Sequence, residues 1–135
     1  MLAVLALGPT ASGAWDFTGR ATLGRLLGGL GAVAGVSGAW VLGRNRTMFP
    51  HPRAGSVLIQ HGIYAILRHP LYTSVMALSL SWGFLWRSGL ALLGAAGLTL
   101  LLDRKARREE AWLGQHFPNY PGYARRVRRF VPWVY

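Results

Sequence analysis

The stretch LYTSVMALSLSWGFLWRSGLALLGAAGLTLLL, residues 71–102, decides how this chain folds. It holds two apolar segments, 71–86 and 89–102, of 16 and 14 residues, parted only by Arg87 and Ser88. Each is short against the roughly 20 residues a helix needs to cross a bilayer. Together they predict a tight helical hairpin in a thin or tilted arrangement rather than one broken helix. A hairpin returns its two ends to the same side, so the polar segments before residue 71 and after residue 102 should meet.

Upstream, residues 23–43 form the clearest spanning candidate. Small residues recur at helical spacing in the pairs Gly24/Gly28, Gly31/Gly35 and Ala34/Gly38. Such faces let membrane helices approach closely, so this helix should pack against a neighbour. Gly29-x-Gly31-x-x-Ala34 has the form of a dinucleotide fingerprint, but no strand precedes it and no polar helix follows, so that reading is set aside. The opening MLAVLALGPTASGAW lacks a basic n-region. It reads as a short or truncated first membrane segment, not a signal peptide. The expectation is an all-α integral-membrane bundle of about three to four transmembrane helices with a C-terminal interfacial helical region.

Composition agrees. The 135 residues make one domain at most and are 52% hydrophobic. Four acids, Asp16, Asp103, Glu109 and Glu110, stand against fourteen Arg and one Lys. Strongly basic chains bind nucleic acid or face anionic lipid, and the long apolar runs favour lipid, with no nucleic-acid partner expected. The absence of cysteine excludes disulfide scaffolds, thiolate metal sites and a Cys nucleophile. His51, His61, His69 and His116 show no ligand spacing, and no metal is expected.

Within that single domain the order is N-terminal membrane helices (1–43), a polar connection (44–70), the hairpin (71–102) and a tail (103–135). Connection and tail hold twelve of the fifteen basic residues, so both should be cytoplasmic, in what reads as a bacterial inner membrane. In the tail, Tyr123, Val127 and Phe130 recur at i, i+4, i+7 among Arg125, Arg126, Arg128 and Arg129. That pattern predicts a helix lying on an anionic membrane surface, with anionic headgroups as partners.

The polar residues best suited to chemistry flank the hairpin. YAILRHPLYTSV, residues 64–75, puts Arg68, His69 and Pro70 between Tyr64 and Tyr72 just where the apolar segment begins. Seen alone, Arg68 is a positive flank and Pro70 a helix N1 residue. At the other end, Glu109-Glu110 places half of the acid in two adjacent residues of a basic helix. Neutralising Arg104 to Arg108 through i, i+4 pairs is one reading, and meeting a cationic ligand is the other.

The ordered series Gly62-x-Tyr64, Arg68-His69-Pro70-x-Tyr72, a hydrophobic hairpin, Glu109-Glu110-x-x-Leu113, Phe117-x-x-Tyr120-x-x-Tyr123 and Val127-x-x-Phe130-x-Pro132 resembles the isoprenylcysteine carboxyl methyltransferase family, whose relatives include bacterial phospholipid methyltransferases. The resemblance covers roughly residues 50–132. It implies S-adenosylmethionine as cofactor, held on the cytosolic side between the connection and the helix after the hairpin. It places cofactor contacts at Ser56, Val57, Leu58, Ile59, Tyr64, Arg68, His69, Pro70, Leu71, Tyr72 and Glu109. It puts Lys105 where such enzymes carry a substrate-contacting basic residue, usually Arg, with Arg104 and Arg108 as neighbours that can take that place. Gln60-His61 departs from the small polar pair usual before the Gly, and Thr73-Ser74 stands near where a Gly is common.

Methyl transfer suits these residue types. Tyr rings can sit near a sulfonium cation. Glu109 can take an ammonium or ribose hydroxyls, and Arg68 or His69 a carboxylate. Pro70 leaves nearby backbone groups free for an adenine edge. A carboxylate acceptor, as in prenylcysteine, needs a cation such as Lys105, Arg104 or Arg108. A phospholipid amine must lose a proton, which makes Glu110 or His69 a candidate base. The expected substrate is lipophilic, a small molecule or lipid. The rival readings are an NADPH-dependent enzyme like the membrane sterol reductases and a non-catalytic lipid-binding membrane subunit.

Overall fold

The computed structural model describes residues 1–2, 18–43 and 58–135. The segment expected to hold a first membrane helix, and the part of the connection containing Ser56 and Val57, lie outside the described residues. Among the described residues the fold is all-helical, with α1 (Arg20–Leu42), a 3-10 turn (Gly62–Ala65), α2 (Pro70–Leu85), α3 (Gly89–His116) and α4 (Tyr120–Arg126).

The expected hairpin is present. Pro70 occupies the first turn of α2, where its missing N–H has no helical partner to lose. Trp86 and Arg87, the latter at φ 56°, turn the chain. Ser88 then caps α3, its Oγ accepting from the Ala91 N–H at 3.1 Å. Arg20 donates to the carbonyls of Phe84 and Leu85, closing the far end of α2.

The small residues of α1 form the surface on which α2 lies. Gly24, Gly28, Gly31, Gly35 and Gly38 face, in turn, Leu85, Ser81, Ala77, Ser74 and Pro70, so the two helices run antiparallel. A Cβ at Gly28 would come within 2.9 Å of Ser81 Oγ, and one at Gly35 within 2.5 Å of Ser74 Oγ. Ser81 Oγ also donates to the Gly24 carbonyl at 2.6 Å. Leu26, Leu30, Val33, Val36 and Trp40 form the opposite row of α1 and are exposed. Small polar residues inside with bulky apolar ones outside reverse the order of a water-soluble helix and suit contact with lipid.

By length and composition one described helix, α1, is long and apolar enough to cross a membrane. Its 23 residues reach about 35 Å at the α-helical rise. The expected three to four spans are not matched on this measure. The 16 residues of α2 fall short of the usual span, and α3, although 28 residues long, becomes charged from Asp103 onward. The helix also ignores the expected boundary between hairpin and tail and carries Asp103, Glu109 and Glu110 rigidly away from the apolar part.

The tail departs from its expected surface helix. Helix α4 is only seven residues long, and Val127 is already extended at φ −110°, ψ 134°. Residues 127–130 then run parallel to 67–69, with the N–H groups of Arg68 and His69 donating to the carbonyls of Arg128 and Arg129 at 2.8 and 3.1 Å. Those donors precede α2 and need acceptors once covered, which the tail backbone supplies. Tyr123, Val127 and Phe130 accordingly point into the protein and are all at least nine-tenths buried. Tyr120, Tyr123 and Val127 pack with Leu58, Leu113 and Phe117, while Phe130 packs with Met76 and Ala106. Gly62 sits at φ 61°, and a Cβ there would meet Val41 Cγ2 at 2.7 Å, so both backbone angle and space demand glycine.

Candidate active site

The first turn of α2, the middle of α3 and the paired segments 67–69 and 127–130 converge on Glu110. Its Oε2 accepts from Arg129 Nη2 at 2.7 Å and lies 3.1 Å from Arg68 Nη1. Its Oε1 accepts from Arg129 Nε at 3.0 Å and pairs with His69 Nε2 at 3.0 Å. Arg129 thus grips both carboxylate oxygens side-on, the geometry in which a guanidinium binds most specifically. Its remaining nitrogen, Nη1, donates to Asp103 Oδ1 at 3.1 Å and meets the Tyr135 hydroxyl. Because an ionised carboxylate only accepts, His69 Nε2 carries a proton in this arrangement.

Burial acts to raise the Glu110 pKa, but hydrogen bonds from His69 and Arg129 and the charge of Arg68 outweigh it and hold the carboxyl down at about 2. The hydrogen bond to Glu110 in turn raises the Arg129 pKa. Asp103 is lowered although burial opposes it, through hydrogen bonds from Arg107 and Tyr135. Glu110 is therefore ionised and fully engaged at neutral pH. In this geometry its two oxygens anchor Arg68, His69 and Arg129.

Glu109, its neighbour, has a different environment. Tyr72 donates to its Oε1 at 2.6 Å, and Lys105 Nζ approaches to 3.9 Å. The Lys105 ammonium also stands 5.3 Å from the Tyr72 ring centroid and is 57% exposed, which marks the open side of the site. His69 lies between the two carboxylates, with Nδ1 3.9 Å from Glu109 Oε2. Its ring stacks on Tyr72 at 5.2 Å and 4°, and Phe130 tilts against its edge at 5.9 Å.

Among the described residues, Arg68 Nε and the Tyr120 hydroxyl are buried without a hydrogen bond of normal geometry. The Arg68 guanidinium and the Tyr120 hydroxyl face one another and interact by charge and by a loose hydrogen bond. Burial and the charge of Glu110 push the Tyr120 pKa up to about 12, with Arg68 opposing. Poorly satisfied buried donors of this kind are rare and call for a ligand or water.

The structure brings Arg68, His69, Tyr72, Lys105, Glu109 and Glu110 together. Tyr64 joins at one remove, its carbonyl accepting from the Tyr123 hydroxyl at 2.7 Å. Leu58 packs against the Tyr120–Val127 cluster, and Ile59 is half-buried beside it in sequence. Pro70 and Leu71 turn toward α1, against Gly38. Arg104 and Arg108 are exposed on α3. Arg129 and Phe130 were not expected at the site. Their place depends on the parallel pairing of two segments some sixty residues apart, for which RRVRRF carries no local signal. No group of three or more His, Asp or Glu able to hold a metal occurs among the described residues.

A family profile described as phospholipid methyltransferase matches residues 20–120, from the start of α1 to the start of α4. The chain belongs to the phospholipid methyltransferase family. This agrees with the resemblance carried by RHPxY and the Glu pair, since isoprenylcysteine-type enzymes fall within the same family. Over 120 residues the chain is 30% identical to the cobalt-zinc-cadmium resistance protein CzcN of Cupriavidus metallidurans, covering 87% of this chain and 53% of that protein. Over 125 residues it is 29% identical to the nickel-cobalt-cadmium resistance protein NccN of Alcaligenes xylosoxydans xylosoxydans, covering 91% and 56%. The chain therefore spans about half the length of these curated relatives. Its match to the family profile stops short of Arg129 and Phe130, so two contacts of the site come from outside the matched region.

Proposed function

We propose that the chain is a membrane-embedded methyltransferase that moves a methyl group from S-adenosylmethionine to a lipophilic acceptor at the cytoplasmic face. The observation that carries this reading is the meeting of Arg68, His69 and Tyr72 with Glu109 and Glu110 across the hairpin, in a chain of a methyltransferase family. The donor set fits the cofactor. Arg68 and the Tyr120 hydroxyl, buried face to face with hydrogen-bonding capacity to spare, suit a carboxylate, and Glu109 on the open side suits an ammonium or ribose hydroxyls. The Tyr72 ring suits a nearby cation. When bound, the cofactor supplies an electrophilic methyl on a sulfonium.

The acceptor we favour reacts through a carboxylate or similar anion. The open side of the site is cationic, with Lys105 beside Glu109 and with Arg104 and Arg108 exposed on the same helix. A carboxylate acceptor is already ionised at neutral pH, so it would need a cation to hold it and no base. These residues then hold and orient it, and positioning supplies most of the rate. For an amine acceptor His69 is the remaining base, because Glu110 is engaged. The outward apolar row of α1 and the exposed leucines of α3 support embedding in a bilayer, with α2 and the apolar part of α3 crossing tilted or through a thinned region. The names of CzcN and NccN attach those proteins to metal resistance, and the reading of this chain rests on its methyltransferase architecture.

The test is transfer of labelled methyl from S-adenosylmethionine into prenylcysteine and lipid acceptors by the purified chain in detergent, beside binding isotherms for that cofactor and for NADPH. Binding of NADPH alone refutes the reaction class, and binding of neither supports the non-catalytic subunit. Undiminished cofactor binding in both Glu109→Ala and His69→Ala overturns the site.

A further inference from the structure

A second site lies apart from the Glu110 cluster. The end of α4 and the turn after it enclose a recess of about 260 Å³ lined by Ile66, Arg125, Arg126, Arg128, Pro132 and Trp133. Three arginines are among its lining residues, and no ion pair joins any of them to an acid among the described residues. Among the described residues Arg126 meets the Gln60 amide oxygen, at 3.5 Å. The described acids are committed elsewhere, Asp103 to Arg107 and Arg129, Glu109 to Tyr72 and Lys105, and Glu110 to Arg68, His69 and Arg129.

Its rim is apolar. Trp133 is 88% exposed and Ile66, Val131 and Val134 are exposed beside it. Trp133 is also held at φ 61°, a left-handed conformation that a large side chain rarely adopts. The turn that holds it outward is closed by the N–H groups of Phe130 and Val131, both donating to the Tyr135 carbonyl at 2.7 Å. Ile66 stands four residues before α2 begins, and Gly38 of α1 packs on Pro70 at that end, so exposed Trp40 belongs to the same end of the bundle. Exposed tryptophans beside arginines are the make-up of a protein surface at the level of lipid headgroups.

We infer that this recess binds the phosphate of an anionic membrane phospholipid, with Arg125, Arg126 and Arg128 on the phosphate and Trp133 and Ile66 against the upper acyl chain. Guanidinium forks match phosphate geometry, and three of them without acid partners among the described residues select a negative headgroup over a zwitterionic one. The site is separate from methyl transfer and needs no cofactor.

The full chain in neutral maltoside micelles is titrated by calorimetry with dihexanoyl phosphatidylglycerol, dihexanoyl phosphatidylcholine and inorganic phosphate. Saturable binding of the first, much tighter than of the other two, is expected. Arg125→Gln and Arg128→Gln should each weaken it about fivefold and together on the order of thirty-fold, while Arg25→Gln on α1 stays within about twofold. Equal binding of the zwitterionic lipid overturns the headgroup assignment, and equal binding of inorganic phosphate makes this a free-anion site. Equal weakening by Arg25→Gln reduces the effect to net charge. If the double Gln variant does not fold, Arg125→Lys/Arg128→Lys carries the test, where several-fold weakening supports the guanidinium forks and unchanged affinity refutes them.

Discussion

Replacing Glu110 with Gln removes the charge on which three elements converge, and the loss can be worked from the site. The carboxyl ionises near 2 in the folded chain against its usual 4.5. A group with a depressed folded pKa contributes stability that is fully present above the unfolded value and disappears as pH falls through the folded one. The gap corresponds to about 3 kcal/mol above pH 5, shrinking between pH 5 and pH 2. That agrees with the roughly 3–5 kcal/mol typical of breaking a buried pair, and with a Glu110 side chain only 11% exposed. The assay is unfolding in mixed micelles followed by tryptophan fluorescence, for wild type and Glu110→Gln, at pH 7 and at steps down to pH 3. The two proteins differ only at residue 110, so the difference between the curves reports Glu110 together with its coupling through Arg129 to Asp103. Glu110→Gln should be less stable by about 3 kcal/mol at pH 7, and the curves should converge as pH falls toward 3. A difference below 1 kcal/mol at pH 7, or one that stays constant down to pH 3, refutes the ionised hub.

Three other outcomes follow from the geometry. Gly35→Ala, whose Cβ would stand 2.5 Å from Ser74 Oγ, should cost about 1–3 kcal/mol, whereas Gly29→Ala, with nothing within 4 Å, should be neutral in the same unfolding assay. Glu109→Gln should weaken S-adenosylmethionine binding about tenfold with little change in stability, read by calorimetry beside a melting curve. Lys105→Ala should raise KM for an anionic acceptor several-fold and leave cofactor affinity unchanged, a split visible in steady-state kinetics.

The hairpin and the glycine stripe of α1 were legible because both are local periodicities. Two apolar runs around Arg87-Ser88 admit few topologies, and small residues every three or four positions mark a close helix contact wherever the partner lies. The arrival of RHPLY and the Glu pair at one place followed from that topology. The tail was misread for a physical reason. Tyr123, Val127 and Phe130 have helical spacing, yet an apolar face does not say whether lipid or protein covers it. Here the unpaired N–H groups of Arg68 and His69 draw residues 128 and 129 into extended pairing and bury the face. Length and composition alone mark one described span rather than three or four, because charge beginning at Asp103 shortens the apolar part of α3 without ending the helix.

The adjacency of Glu109 and Glu110 makes sense only once both environments are known. Neighbouring residues on an α-helix point about 100° apart, so two adjacent carboxylates cannot serve one ligand in the same way. One turns inward to Arg68 and Arg129 and fixes the tail against α3. The other turns to Tyr72 and the exposed Lys105, where a ligand can reach it. His69 touches the first with Nε2 and faces the second with Nδ1, so its ring orientation is set by the anchor and presented to the open carboxylate. Arg129 therefore acts as a positioning residue, through Glu110 and His69. Its loss should disturb the site even though its hydrogen-bond partners are Glu110, Asp103 and Tyr135 rather than Glu109.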